Sequence, residues 1–183
     1  MQMKLKNVKL AFPSIFTHAE YQGESRGQYE AQFLIAEDDS QLTQVKKAIA
    51  KVAKDEFGDA WQKAKLPISD GNEKTYDGFA GHWALKATNK NRFAIIDRDR
   101  TPLVEADDKP RAGDVVNALV SIYAFSNKYG SFLKCQLMAL QFVEEGERYG
   151  GGGQTVVIED VFDNLSGDSD ISFDGDDDDS APF

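Results

Sequence analysis

Cysteine is almost missing. Cys135 stands alone in 183 residues, which excludes an intrachain disulfide and a multi-cysteine zinc site and fits a reducing compartment. Histidine is nearly as scarce: His18 and His82 are the only two, neither close to Cys135 in sequence nor set beside carboxylates at metal-ligand spacing. The usual base for a nucleophile and the usual metal ligands are therefore wanting. No Walker pattern and no phosphate-binding glycine loop occurs. The longest largely apolar run, VVNALVSIYAF, has eleven residues and contains Asn117 and Ser121, too short and too polar to span a bilayer. The opening MQMKLKNVKL has no apolar core of a signal peptide. These absences predict a soluble cytoplasmic protein that is not an enzyme, with no catalytic residues, no cofactor, no metal and no membrane partner.

Positive charge is missing from the end of the chain. All 21 Lys and Arg precede residue 156, whereas ten of the 31 acids (Glu159, Asp160, Asp163, Asp168, Asp170, Asp174 and Asp176 to Asp179) follow it. The first 155 residues are thus neutral and the last 28 carry the whole net charge of −10. Blocks of like charge repel and bury too little apolar surface to offset the entropy of ordering. With Gly150 to Gly153 as a linker, the expected division is a folded domain over 1–149 and a linker with a disordered acidic tail over 150–183. A run of aspartates attracts divalent cations only weakly, because a calcium loop needs alternating ligands, a central glycine and a distal glutamate.

What is present reads mainly as strands. KLKNVKLAF (4–12) predicts a first strand ending before Pro13, and 14–27 reads as a loop. QYEAQFLIA places Tyr29, Ala31, Phe33 and Ile35 on one face at period two. From Asp39 the period changes: Leu42, Val45, Ile49, Val52 and Phe57 fall at helical spacing, with Asp38, Asp39 and Ser40 as N-terminal caps and Gly58 just past the end. HWALKATNK predicts a strand with Trp83 inward and Lys86 outward, FAIID a short strand, and RDRTPLVEADDKPRAGD a charged loop. VVNALVSIYAF and SFLKCQLMALQFV, joined by SNKYG, predict a hairpin. Five or six strands and one helix suggest a small β-barrel with an inserted helix.

Basic and aromatic residues interleave along these strands: Tyr76, Lys86, Lys90, Arg92, Phe93, Tyr123, Phe125, Lys128, Tyr129, Phe132 and Lys134. Single-stranded nucleic acid is held by aromatic faces that stack bases and by cations that track phosphates. Alternation within the hairpin puts Tyr123 and Phe125 opposite Val120, Ile122 and Ala124, and Phe132 and Lys134 opposite Leu133, Cys135 and Leu137. One face can therefore hold Phe125, Lys128, Tyr129, Phe132 and Lys134. Strand aromatics taken singly are more often packing residues, and a neutral body has no basic excess to draw nucleic acid by itself.

GHWALKATNKNRFAIID and VNALVSIYAFSNKYGSFLKCQLMALQFVEEGERYGGG, with VKLAFPSIF and YEAQFLIAEDDSQL before them, resemble a family of phage-encoded single-stranded-DNA-binding proteins over about residues 5–153. Separately, DDDDSAPF resembles the acidic tails ending in phenylalanine that such proteins carry. The resemblance implies an OB-fold, a five-stranded Greek-key barrel with extra strands and one inserted helix, that coats DNA strands exposed in replication or recombination. It also implies a tail (Asp176, Asp177, Asp178, Asp179, Pro182, Phe183) that docks replication or recombination proteins; tethered by Gly150 to Gly153, so acidic a tail is also expected to visit the groove as a phosphate mimic that DNA must displace. Binding to duplex DNA and formation of a homodimer stay open. Two rival readings are an acidic interaction protein whose tail mimics DNA and binds basic proteins, and a metal-dependent nuclease for which the tail aspartates are the only support.

Overall fold

The structure, a computed structural model, describes residues 1–148. Within them the strands are β1 (Gln2–Ser14), β2 (Glu20–Tyr21), β3 (Glu24–Ser25), β4 (Tyr29–Ala36), β5 (Ile68–Asp70), β6 (His82–Asn89), β7 (Ala94–Ile96), β8 (Val115–Asn127) and β9 (Gly130–Glu144). The helix α1 (Ser40–Phe57) lies between β4 and β5. β1 pairs antiparallel with β4 and β8, β4 with β6, and β8 with β9. A parallel pairing of β6 with β9, Ala87 opposite Cys135 and Thr88 opposite Gln136, closes the ring. The closed circuit β1-β4-β6-β9-β8 is a five-stranded barrel with the OB topology. β5 extends it beside β6, and β7 beside β9.

Inward-facing residues at period two fill the barrel: Leu5, Phe33, Leu85, Val120, Ile122 and Leu137 are fully buried. Each such side chain contributes roughly 1.5–3 kcal/mol through removal from water. α1 packs Leu42, Val45 and Ile49 into the same core. The Asp39 carboxylate accepts the Gln41 amide at 2.8 Å, and Gly58, at φ 53°, returns its own amide to the Lys54 carbonyl. The helix and its caps are as the spacing predicts. Trp83 is only half-buried, with the Lys46 ammonium 3.4 Å from its ring centroid.

Three local expectations change. The first strand does not stop before Pro13. It runs to Ser14 through a bulge between Ala11 and Ser14, where a proline sits without loss of a ladder bond. The stretch 14–27 is not plain loop: Glu20–Tyr21 and Glu24–Ser25 form a small hairpin about Gln22 (φ 52°) and Gly23 (φ 80°), the turn that suits two-residue connections. Two-residue strands are too short to show a period. The turn-rich stretch before Trp83 supplies β5 and a 3₁₀ turn, Gly71–Glu73. The expected boundary near residue 149 and the tail beyond it lie outside the described residues.

Candidate nucleic-acid interface

The alternation that sends Tyr29, Ala31, Phe33 and Ile35 inward leaves Glu30, Gln32 and Leu34 on the barrel's outer face. On β6 the outward set is Ala84, Lys86 and Thr88. Register lays the two sets side by side, Leu34 opposite Ala84, Gln32 opposite Lys86 and Glu30 opposite Thr88. Leu34 and Ala84 join Ala11 of β1 in a small apolar cluster closed by Phe79. Phe79, only 2% exposed, thereby pins the connection between β5 and β6 across the barrel wall.

The same connection is tied by polar contacts. The Asn72 side chain donates to Glu37 at 2.5 Å and accepts the Gly81 amide at 2.8 Å. Gly71 lies so close to the carbonyls of Phe79 and His82 that a Cβ would collide with both. So anchored, the loop holds Tyr76 in the open, 53% exposed, its ring 5.3 Å from Phe79 and edge-on to Phe12 at 4.9 Å. Phe12 reaches this place because the β1 bulge turns it out at φ 46°, a conformation costly for an aromatic residue and concentrated at functional sites.

Below this aromatic wall the outer face stays uncovered. A groove of about 450 Å³ runs over it, lined by Gln32, Lys74, Tyr76, Lys86, Thr88 and Lys134 among others. Gln32 and Tyr76 also border a second hollow of about 640 Å³ that continues to Phe12, Tyr21 and Arg26. The Arg26 guanidinium lies 5.2 Å from the Tyr21 ring centroid. The barrel strands β4 and β6, the connection carrying the β2–β3 hairpin, and the β8–β9 turn are the parts of an OB-fold that face oligonucleotides.

The β8–β9 hairpin forms the other wall. Phe125 and Phe132 stand opposite each other in register and stack at 5.2 Å. Lys134 places its ammonium 5.1 Å from the Phe125 centroid, and Lys65 does the same for Phe132 at 5.3 Å. Tyr123 lies 6.4 Å from Phe125 on the same face. At the tip Tyr129 is 74% exposed, with the Lys128 ammonium 4.9 Å from its ring. Such arrangements present π-faces and cations on one surface, as base stacking with phosphate pairing requires.

The expected residues therefore fall into three groups. Tyr76, Lys86 and Lys134 share the groove, and Tyr123, Phe125, Lys128, Tyr129, Phe132 and Lys134 share the hairpin face and tip. Lys90, Arg92 and Phe93 do not join them. Lys90 and Arg92 are exposed in the connection after β6, and Phe93 meets the Tyr29 ring edge-on at 5.9 Å. Arg92 and Phe93 border a separate hollow with Ile15 and Leu103. The tail residues Asp176 to Asp179, Pro182 and Phe183 lie outside the described residues.

Sequence reasoning missed Phe12, Tyr21, Arg26, Glu30, Lys65 and Lys74. Phe12 and Lys74 sit in a bulge and a turn, where no period marks a face. Glu30 is an outward residue of its strand, but of its two cationic neighbours only Arg26, four residues before it, is near in sequence, while Lys86 comes from β6. Among the described residues no group of His, Cys, Asp and Glu could hold a metal ion, and no helix is long and apolar enough to cross a membrane.

Comparison with known proteins adds three findings. A family model described as the single-stranded-DNA-binding protein of Enterobacter phage Enc34 matches residues 1–172. Protein p50 of Acyrthosiphon pisum secondary endosymbiont phage 1 is 35% identical over 180 residues, covering 91% of this chain and 95% of its own. Among solved structures, the Enc34 protein in complex with single-stranded DNA superposes with a TM-score of 0.71 at 21% identity, over 81% of this chain and 89% of that one. The bacteriophage T7 single-stranded-DNA-binding protein gp2.5 does so at 0.60 and 15% identity, over 92% and 98%. At these identities the two structures speak for the fold alone.

Proposed function

Because the chain belongs to the phage single-stranded-DNA-binding family represented by the Enc34 protein, we propose that it coats single-stranded DNA during phage replication and recombination, without catalysis and without choosing sequence. The observation that carries this reading is the shared outer surface of β4, β6 and the β8–β9 hairpin. There Tyr76 lines one groove with Lys74, Lys86 and Lys134, and Lys134 reaches from it to the stacked pair Phe125 and Phe132. Bases stack on the rings, lysines neutralise phosphates, and released counterions make affinity fall with salt. DNA enters the groove with Tyr123, Lys128 and Tyr129 at the hairpin end. Lys90, Arg92 and Phe93 serve only a strand long enough to leave the groove beyond β6.

The acidic tail has two roles. Joined to the barrel through Gly150 to Gly153, it reaches the groove at an effective concentration on the order of millimolar and competes with phosphate. Displaced by DNA in the host cytoplasm, it offers Asp176 to Asp179 and Pro182-Phe183 to replication or recombination proteins. The phenyl ring enters an apolar pocket while the carboxylates meet basic residues around it.

Fluorescence anisotropy of a labelled oligonucleotide across a salt series tests the core of this reading. Binding that weakens linearly in log affinity against log salt is the expected result. No binding at low salt, even by a chain ending at Gly153, would overturn it in favour of an acidic protein that binds basic partners.

A further inference from the structure

An acid lies in the middle of this cationic surface. Glu30 points outward from β4 between the two lengths of groove, and its side chain is only 17% exposed. The ammonium of Lys86 lies 3.1 Å from Glu30 Oε2 and the guanidinium of Arg26 lies 3.5 Å from the same atom. Yet Oε2 is sealed from solvent and accepts no aligned hydrogen bond. The contact is charge on charge, with the donors off the hydrogen-bonding directions. A carboxylate withdrawn from water needs such neighbours, and an oxygen left without hydrogen bonds in a folded protein calls for an explanation.

We propose that Glu30 is a built-in competitor for nucleic-acid phosphate. In the free protein it holds the two cations that a phosphate at the centre of the groove would need, one from each side. DNA must draw Arg26 and Lys86 away from Glu30, and it then passes close to the carboxylate they leave. Lys74 and Lys134 differ: neither has an acid within ion-pair distance among the described residues. The groove therefore grips phosphate through Lys74 and Lys134 and loosely between them, which favours exchange of the strand over permanent capture. This inference rests on the single-stranded-DNA reading above.

Anisotropy with labelled oligo(dT) and the full-length chain tests it, the tail being common to every variant. Glu30→Gln keeps the side-chain shape and removes the charge. It is expected to tighten binding about three- to tenfold at low salt. It should also steepen the log–log salt slope by about 0.7 for each cation released to phosphate. In the unaltered chain Lys86→Gln should cost less affinity than Lys134→Gln. In the Glu30→Gln background the cost of Lys86→Gln should rise several-fold.

Binding by Glu30→Gln no tighter than the unaltered chain overturns the proposal, as does an equal cost of Lys86→Gln in both backgrounds. Should thermal unfolding show Glu30→Gln to be misfolded, the surface pair decides: a loss from Lys86→Gln equal to or above that from Lys134→Gln overturns it. If the unaltered chain binds no oligo(dT), the functional reading falls and this one with it. Binding by the unaltered chain without the Glu30 effects removes only this one.

Discussion

Phe125 on β8 and Phe132 on β9 face each other across the hairpin with ring centroids 5.2 Å apart and planes 16° from parallel. Each ring also has a lysine ammonium near it, Lys134 at 5.1 Å from the Phe125 centroid and Lys65 at 5.3 Å from that of Phe132. On the proposed reading, a base stacking on this pair finds a lysine ammonium at hand for the adjoining phosphate. Phe125→Ala should cost about 1–3 kcal/mol of binding to single-stranded DNA. The expected fold is retained, since Phe125 is not part of the buried core; anisotropy and thermal unfolding on the same samples check both halves.

The loop from Gly71 to Gly81 separates stability from binding. Phe79→Ala empties the position that closes the Ala11, Leu34 and Ala84 cluster, and large-to-small changes of this kind cost about 3–5 kcal/mol. It should also weaken DNA binding, because Tyr76 and Lys74 lose their anchor. Tyr76→Ala, at an exposed position, should weaken binding while moving the denaturation midpoint little. Equal destabilisation by the two changes would contradict this division.

The proposed competition of the tail with DNA would have a direct signature. A chain ending at Gly153 should bind single-stranded DNA more tightly, most of all at low salt where the ten acids after residue 155 are least screened. Unchanged or weaker affinity would sink the autoinhibitory role.

The last residue should act on partners and not on DNA. Phe183→Ala is expected to leave oligonucleotide affinity intact and to abolish capture of a replication or recombination enzyme in a pull-down. A surviving pull-down would mean that the terminal ring is not the anchor.

Cys135 offers a pH test of the barrel. Burial pushes its thiol up from an ordinary value of 9.0 to about 12, because desolvation disfavours the thiolate. The folded state therefore holds this proton more tightly than the unfolded chain does. That contribution to stability is fully present below about pH 9 and is lost as pH rises toward about 12. At pH 8 the thiol should resist alkylation until denaturant is added; rapid labelling of the native protein would refute the burial.

The barrel was legible because its strands are long and half-buried. Tyr29 to Ile35 and the two arms of the β8–β9 hairpin show period two because one face of each meets a packed interior and the other does not. α1 was legible from its spacing and from Asp39 and Gly58 at its ends. The shared face of Phe125, Phe132 and Lys134 in the hairpin half of the candidate site followed from the same alternation. Where the elements are shorter than a period, as in the β2–β3 hairpin and the β1 bulge, the pattern is silent, and Tyr21, Arg26 and Phe12 went unnoticed.

By itself, the amino-acid sequence determined the charge division, a neutral stretch followed by an acidic end, and the alternation that gives each long strand an inside and an outside. Those properties are local, set by composition and by the two-residue repeat of an extended chain. Only the tertiary structure decided which outward residues share a surface. Strand register set Gln32 beside Lys86, and Phe79 carried Tyr76 and Lys74 across the barrel wall. The pairing of β4 with β6 brought the distant Lys86 to the same oxygen of Glu30 that its sequence neighbour Arg26 approaches. Phe93, basic-flanked and plausible in sequence, went instead to the edge of Tyr29, because apolar burial outweighs a place in the groove.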